Sequence, residues 1–284
     1  MRIVVAGARG QLGAAVVQEC APHHDVVALD RAALDVTDDR AVAETMARLA
    51  PDVVINCTGY NDVDGAETHP VEALNVNAFA VRALARTAAR HGAVFVHYGT
   101  DFVFDGTATA PYTEDDVVNP RSVYAASKLV GEWFAADAPR AYVLRVESLF
   151  GRAPGGPEPK GSAAAIAKTL LAGGTPRVFE DRTISPTFVT DAAHATRRLL
   201  EEGSAPGLYH CVNSGRCTWL EFAETLARQL GVDARFERVR LADIKMPAER
   251  PRYSALSNAK LAAAGIEMPR WEEALGKSLK GVKA

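Results

Sequence analysis

Tyr124-Ala-Ala-Ser-Lys128 sets a phenol and an ammonium four residues apart. On a helix that spacing places both side chains on one face, one turn from each other. A free phenol releases its proton only near a pH of about 10, so a tyrosine that exchanges a proton near neutrality needs assistance. A neighbouring ammonium stabilises the phenolate and lowers that value. The lysine has a second use, holding a ribose. Chance produces this spacing often, and alone it reads as an exposed Tyr/Lys pair. A third group stands upstream in His97-Tyr98-Gly99-Thr100-Asp101, which closes an apolar run. The Thr100 hydroxyl can hydrogen-bond a substrate carbonyl there; without the other two residues it reads as a turn.

The context that changes this balance is Gly7-Ala8-Arg9-Gly10-Gln11-Leu12-Gly13, lying between a short valine-rich run and a helical pattern. Gly7 permits a tight turn, Gly10 lets backbone approach a pyrophosphate, and Gly13 lets helix and strand pack closely. Phosphates then meet the free N–H groups and positive end of the helix. Three glycines alone are a weak signal, and a plain strand-to-helix turn is the bland reading. Position and flanking elements favour dinucleotide binding, in the Gly-x-x-Gly-x-x-Gly spacing of short-chain reductases. Asp30 ends the next apolar run, where a carboxylate can accept adenosine ribose hydroxyls and favour NAD. Arg31, assisted by Arg9, can meet a 2′-phosphate and favour NADP, so the pair leaves the cofactor open between NADPH and NADH. Asp35-Val36 is placed to touch adenine, by carboxylate and by apolar edge; alternatively Asp35 only helps to start the next helix.

These residues need a scaffold. Strands are expected at 3–6, 26–29, 53–56, 94–98 and 142–146, valine-rich and free of internal charge apart from Arg145, as strands covered on both faces should be. Amphipathic helices fall between them at 11–20, 38–49, 71–90 and 122–135. Thr37 is the expected cap of the second, and Pro70 sits in the first turn of the third. The alternation implies an α/β fold, a Rossmann-type doubly wound parallel sheet with helices on both faces. Thr100 and the stretch 56–61 then fall at the carboxyl ends of strands, where ligands sit. At Gly151 the composition changes. Residues 151–160 carry three prolines and three glycines, which continue neither helix nor sheet and predict a mobile loop. Beyond it come helices near 163–172, 191–202, 218–230, 258–264 and 271–279, a run at 176–179 and a strand at 208–212. The expected division is a dinucleotide-binding domain over 1–150, with a return segment near 186–213. A smaller, discontinuous substrate-binding domain is built from 151–185 and 214–284.

The composition is that of an ordinary globular protein of 284 residues with formal net charge -3. No basic cluster supports binding to nucleic acid or to a membrane surface. No apolar run reaches membrane-spanning length, and the first residues do not read as a signal peptide, so a cytoplasmic location is expected. Cys20, Cys57, Cys211 and Cys217 have no metal-ligand or redox spacing and read as free thiols in a reducing compartment. No acidic pattern proposes a metal site.

Taken together, these segments resemble the dTDP-4-dehydrorhamnose reductase family of extended short-chain reductases. The matching stretches are 7–13, 34–38, 51–67, 75–78, 97–106, 124–132, 185–191, 207–210 and 250–256, nearly the whole chain. His97-Tyr-Gly-Thr-Asp-Phe-Val-Phe-Asp-Gly106 is the most specific piece. The resemblance implies reduction of a 4-keto-6-deoxy sugar linked to dTDP, with NADPH or NADH. It implies Tyr124 as proton donor aided by Lys128, with Thr100 and Asp101 near the sugar. Gly10, Gln11, Leu12, Asp35, Val36, Gly59, Tyr60, Asn61 and Tyr98 would line the cofactor. One departure stands out. The family reads Arg-Thr-Ser-Trp-Val-Tyr-Gly where this chain reads Arg145-Val-Glu-Ser-Leu-Phe-Gly151, so Ser148 replaces a tryptophan that meets the sugar and Glu147 replaces a serine. Glu147 is either a substrate-side carboxylate or one half of an ion pair, with Arg145 the nearest arginine. Two rival functions stay open: a nucleotide-sugar epimerase or dehydratase, and a non-catalytic NADP-binding regulatory subunit. The expected partner is a nucleotide sugar, most simply dTDP-linked; a homodimer is left open.

Overall fold

The computed structural model describes residues 1–280. Six strands form one all-parallel sheet: β1 (Arg2–Ala6), β2 (Asp25–Leu29), β3 (Val53–Asn56), β4 (Val94–Thr100), β5 (Ala141–Val146) and β6 (Gly207–His210). Their order is β6-β5-β4-β3-β1-β2. The chain therefore reverses direction across the sheet between β1 and β3, the position where open α/β sheets leave a crevice at their carboxyl edge.

Alternate residues of each strand enter different cores. Ile3 and Val5 join Leu12 and Val16 of helix Gln11–Cys20, which lies against helix Val189–Glu202. Val4 and Ala6 join Val42, Met46 and Leu84 on the opposite face. Burial on both faces explains why the strands read as continuous valine runs rather than as an alternation.

Two local expectations change. Helix Asp39–Leu49 is capped by Asp38, whose carboxylate accepts from the N–H groups of Arg40 and Ala41 at 2.9 and 3.0 Å. Thr37 is not the cap, because its N–H and hydroxyl are both bound to Asp35 Oδ1, at 3.0 and 2.7 Å. The helix expected over 71–90 is interrupted: Pro70–Leu74 and Ala80–Arg90 flank a π-helical turn, Asn75–Phe79. That wider turn carries Asn77 against helix Val123–Ala136 at Gly131, where a Cβ would lie 2.0 Å from the Asn77 carbonyl oxygen.

Beyond β5 the chain builds the far wall of the carboxyl edge from short pairs: Leu149–Phe150 with Thr187–Phe188, Thr183–Ile184 with Cys217–Thr218, and Arg177–Phe179 with Glu237–Val239. Helix Trp219–Leu230 begins with a reciprocal cap between Thr218 and Glu221. Phe150, Phe188, Trp219, Phe222 and Trp271 stack into its core. All four cysteines are free thiols. Among the described residues no helix is long and apolar enough to cross a membrane, and no metal-binding cluster occurs.

Candidate active site

The glycine loop sits at the crevice between β1 and β3. Gly7 takes φ +78°, and its N–H and that of Ala8 donate to the Leu29 carbonyl at 2.8 and 3.0 Å, linking the turn to the end of β2. A Cβ on Gly13 would lie 2.2 Å from the Gly7 oxygen, so helix and turn approach as only glycine allows. Gly10 caps the helix with no side chain over its end. The first N–H groups and the positive pole thus remain available to a phosphate, and the backbone fits a dinucleotide.

Two clefts adjoin this loop. One, of about 520 Å³, is lined by Ala8, Arg9, Asp30 and the 154–156 turn. Here Arg9 pairs with Asp30 at 2.8 Å while remaining almost fully exposed. Arg31 is exposed beside them and helps hold the Asp35 carboxyl below its usual range, after hydrogen bonds from Thr37. Val36 is buried in the core. Asp35 accepts from the Thr37 N–H and hydroxyl, three residues before the cap of the following helix.

The second cleft, of about 450 Å³, runs from Gly10, Gln11 and Leu12 to Thr100, Tyr124 and Lys128. Asn61 and Tyr98 line it, as does Ser148, held at φ +43°, a conformation in which side chains are strained. Gly59 and Tyr60 lie just behind. The Asn77 side chain accepts from the Tyr60 N–H at 2.8 Å, donates to the Tyr60 oxygen, and donates to Ser127 at 3.0 Å. Ser127 belongs to the helix of Tyr124, so Asn77 locks the β3 loop to the helix that carries the chemistry. Sequence reading missed Asn77, because its partners lie 17 and 50 residues away and no local pattern announces them.

Ser122 caps helix Val123–Ala136, which brings Tyr124 and Lys128 to the end of β4. Lys128 Nζ donates to the Tyr98 carbonyl at 2.6 Å. Burial lowers the Lys128 ammonium to about 8, against the pull of Glu132. Tyr124 is pushed up to about 12 by burial, with a hydrogen bond to Thr100 acting the other way and Asp101 and Glu132 adding to the rise. This corrects the expected lowering: the ammonium is directed at a backbone carbonyl, and desolvation dominates. The result is a phenol that stays protonated at neutral pH, the state a proton donor requires. Phe102 meets the Tyr124 ring edge-on at 5.6 Å.

Asp101 is buried beside Thr100, whose hydroxyl donates to its Oδ1 at 3.1 Å. Arg145 does not pair with Glu147. It forms a buried ion pair with Glu132 at 2.8 Å, while Glu147 accepts from the Ser254 hydroxyl and the Ser185 N–H, both at 2.6 Å. Residues 145 and 147 are separated because Arg145 lies within β5 and Glu147 just beyond its end. Two residues that sequence reading did not single out, Arg182 and Trp219, also wall the cleft, together with Arg250 of the matched stretch 250–256. Arg250 pairs with Asp64 at 2.9 Å.

The 151–160 segment lacks regular structure but is tied down at both ends. Gln11 donates to the Gly151 oxygen at 2.7 Å and accepts from the Lys160 N–H at 3.4 Å. Arg152 pairs with Glu158 within it.

A family model described as RmlD substrate binding domain matches residues 1–284. The chain is 38% identical over 287 residues to a dTDP-4-dehydrorhamnose reductase of Mycobacterium tuberculosis, covering 98% of this chain and 92% of the relative. It is 36% identical to a probable dTDP-4,6-dihydroxy-2-methyloxan-3-one 4-ketoreductase of Streptomyces antibioticus, covering 100% and 96%. The crystal structure of a Clostridium acetobutylicum dTDP-4-dehydrorhamnose reductase superposes with TM-score 0.93 at 31% identity over 100% of both chains. That of the Bacillus anthracis enzyme in complex with NADP does so with TM-score 0.92 at 28% identity, over 100% and 99%. The chain belongs to the dTDP-4-dehydrorhamnose reductase family.

Proposed function

We propose that this chain reduces the C4 ketone of a dTDP-linked 4-keto-6-deoxy sugar, drawing on NADPH or NADH. One observation carries the reading: Thr100, Tyr124 and Lys128 meet in a single cleft that continues to the glycine loop. Membership of a family whose named relatives are ketoreductases supports it. The nicotinamide, when bound, supplies the hydride.

The protein's own residues do the rest. Gly7, Gly10 and Gly13, with Gln11 and Leu12, receive the pyrophosphate at the helix end. Arg9, Asp30, Arg31, Asp35 and Val36 surround the adenosine. Gly59, Tyr60, Asn61 and Tyr98 flank the nicotinamide ribose, with Lys128 holding its hydroxyls. Thr100 orients the ketone oxygen and Tyr124 gives it a proton. Asp101 and Ser148 border the sugar, and Trp219 supplies an aromatic wall where Ser148 has none. Binding the nucleotide handle fixes the ketone against these groups. In this reading residues 1–150, with the return at 186–213, hold the dinucleotide, and 151–185 plus 214–284 hold the sugar. Assaying a panel of nucleotide sugars for NADPH oxidation tests it; turnover confined to 4-keto-6-deoxy sugars is the expected result, and none with any of them defeats the proposal.

A further inference from the structure

Arg182 lines the cleft of Thr100 and Tyr124 at 8% exposure. Its Nε donates to the Pro251 carbonyl at 3.1 Å, and its guanidinium lies over the Phe179 ring at 5.6 Å. Among the described residues its two terminal nitrogens meet no hydrogen-bond acceptor, and no carboxylate stands at ion-pair distance. Arg145 is the contrast: equally buried, it spends its donors on Glu132 through three hydrogen bonds. A guanidinium carries five N–H donors and keeps its charge at any physiological pH. Burying it with donors unmet is costly, so the arrangement suits oxygens that arrive with a ligand.

The backbone on either side of Arg182 is fixed. The Thr183 N–H donates to the Arg252 carbonyl and the Ser254 N–H to the Thr183 carbonyl, both at 2.9 Å. Glu147, at 1% exposure, fastens both segments to the end of β5, accepting from the Ser185 N–H and the Ser254 hydroxyl at 2.6 Å each. The Trp219 N–H donates to the Arg182 carbonyl at 3.2 Å, and Trp219 also lines the cleft. An aromatic plate and a planar donor thus border one cleft, the pairing that suits a sugar ring with its apolar face and polar rim.

The neighbouring charge selects which oxygen. Asp101 shares the cleft wall with Arg182 and accepts from the Thr100 hydroxyl at 3.1 Å. Burial opposes the charge on Arg182, and Asp101 is the foremost group supporting it. A diphosphate only accepts hydrogen bonds, and it would meet a carboxylate beside the guanidinium. A hydroxyl does both: it can take an N–H from Arg182 and give its own proton to Asp101. Thr100, which precedes Asp101, addresses the C4 oxygen. The matching hydroxyl is therefore on C3, because the other neighbour, C5, carries the methyl group of a 6-deoxy sugar.

We propose that Arg182 is a specificity-determining residue that donates to the C3 hydroxyl of the sugar beside the ketone, with Asp101 accepting from that hydroxyl, an assignment that rests on the reductase reading. The contact is made before any bond changes, so it selects substrates that carry the hydroxyl and holds the ring with C4 towards Thr100 and Tyr124. Glu147 touches no substrate; it is a positioning residue for the segment of Arg182.

Calorimetric titration tests this independently of turnover, with three probes: a dTDP-linked 6-deoxy sugar bearing the C3 hydroxyl, its 3-deoxy analogue, and dTDP alone. Arg182→Met should weaken the first by about 10–100-fold, the range for a hydrogen bond to a charged group. The 3-deoxy analogue and dTDP should each change by less than about threefold, because neither offers that oxygen. In reduction of the corresponding 4-keto sugars the loss should fall on KM rather than on kcat. Should Arg182→Met fail to fold, Arg182→Lys, which keeps the charge but not the planar fork, replaces it with the same ordering of losses. Equal weakening of the 3-hydroxy and 3-deoxy sugars overturns the proposal, as does a matching loss with dTDP alone, which would move Arg182 to the diphosphate. A wild type that binds the three probes in this pattern yet oxidises no NADPH defeats the reductase reading and leaves the hydroxyl contact standing.

Discussion

Lys128 Nζ lies 2.6 Å from the carbonyl oxygen of Tyr98, two residues before Thr100 on β4. The hydrogen bond joins the helix of Tyr124 to the strand of Thr100, so phenol, hydroxyl and ammonium are held by one buried contact. It also occupies the ammonium, which explains why burial rather than Lys128 governs Tyr124 in the free chain.

Tyr124→Phe removes the proton donor and little else, since Phe102 packs against the ring rather than the hydroxyl. Turnover should fall by roughly 10²–10⁴-fold, the usual contribution of a general acid, with cofactor affinity kept. Steady-state kinetics together with cofactor titration check this. Near wild-type turnover would remove Tyr124 from the mechanism.

Lys128 has a folded-state value of about 8 against an ordinary 10.5, so the fold disfavours its charge. Between those two values the unfolded chain binds more protons than the native one, and this group's contribution to stability rises with pH. Below about 8 both states are protonated and the burial penalty is felt in full. Lys128→Met abolishes that dependence. The melting temperature of the variant relative to wild type should be most favourable below about pH 8 and should decline towards pH 10.5. A difference that stays flat across that range would contradict the burial of a charged lysine.

Asp30 opposes a 2′-phosphate, yet its carboxylate is already paired with Arg9, and Arg31 stands exposed beside it. Both NADH and NADPH should bind, and Arg31→Ala should weaken NADPH much more than NADH. Calorimetric titration of each cofactor decides it; equal weakening would strip Arg31 of its role.

The sheet was readable from sequence because strands buried on both faces announce themselves as valine runs. The six expected strands match β1 to β6 to within two residues, and the fold class followed from the alternation of the first five with helices. Gly7 and Gly13 were readable for a similar reason: backbone this close admits no other residue. What sequence hid were relationships set by distant packing. Asn77 faces Ser127 only because a π turn re-aims it, and no helical period encodes that turn. The partner of Glu147 is Ser254, brought from 107 residues away, whereas proximity in sequence had suggested Arg145. Trp219 and Arg182 reach the cleft from segments beyond β5 whose short strand pairs carry almost no pattern of their own.

Gln11 gives the 151–160 segment a definite tether to the glycine loop. Hydrogen exchange across this segment should slow when cofactor and nucleotide sugar bind together, as expected of an element closing over the cleft. In the free protein Gln11→Ala should speed it by about fivefold, matching the loss of one net hydrogen bond of about 1 kcal/mol. Equal exchange with and without saturating ligands would reduce the segment to a linker.

The central claim is that hydride ends on the sugar while Tyr124 protonates the oxygen. NADPH deuterated at the transferring C4 position, incubated with a dTDP-4-keto-6-deoxy sugar, tests it in one product analysis. The account predicts one deuterium on sugar C4, one NADPH oxidised per sugar reduced, and loss of both in Tyr124→Phe. Altered sugar stereochemistry with no net NADPH consumption and no deuterium in the product would contradict it, because a cofactor regenerated in each cycle is the mark of an epimerase rather than a reductase.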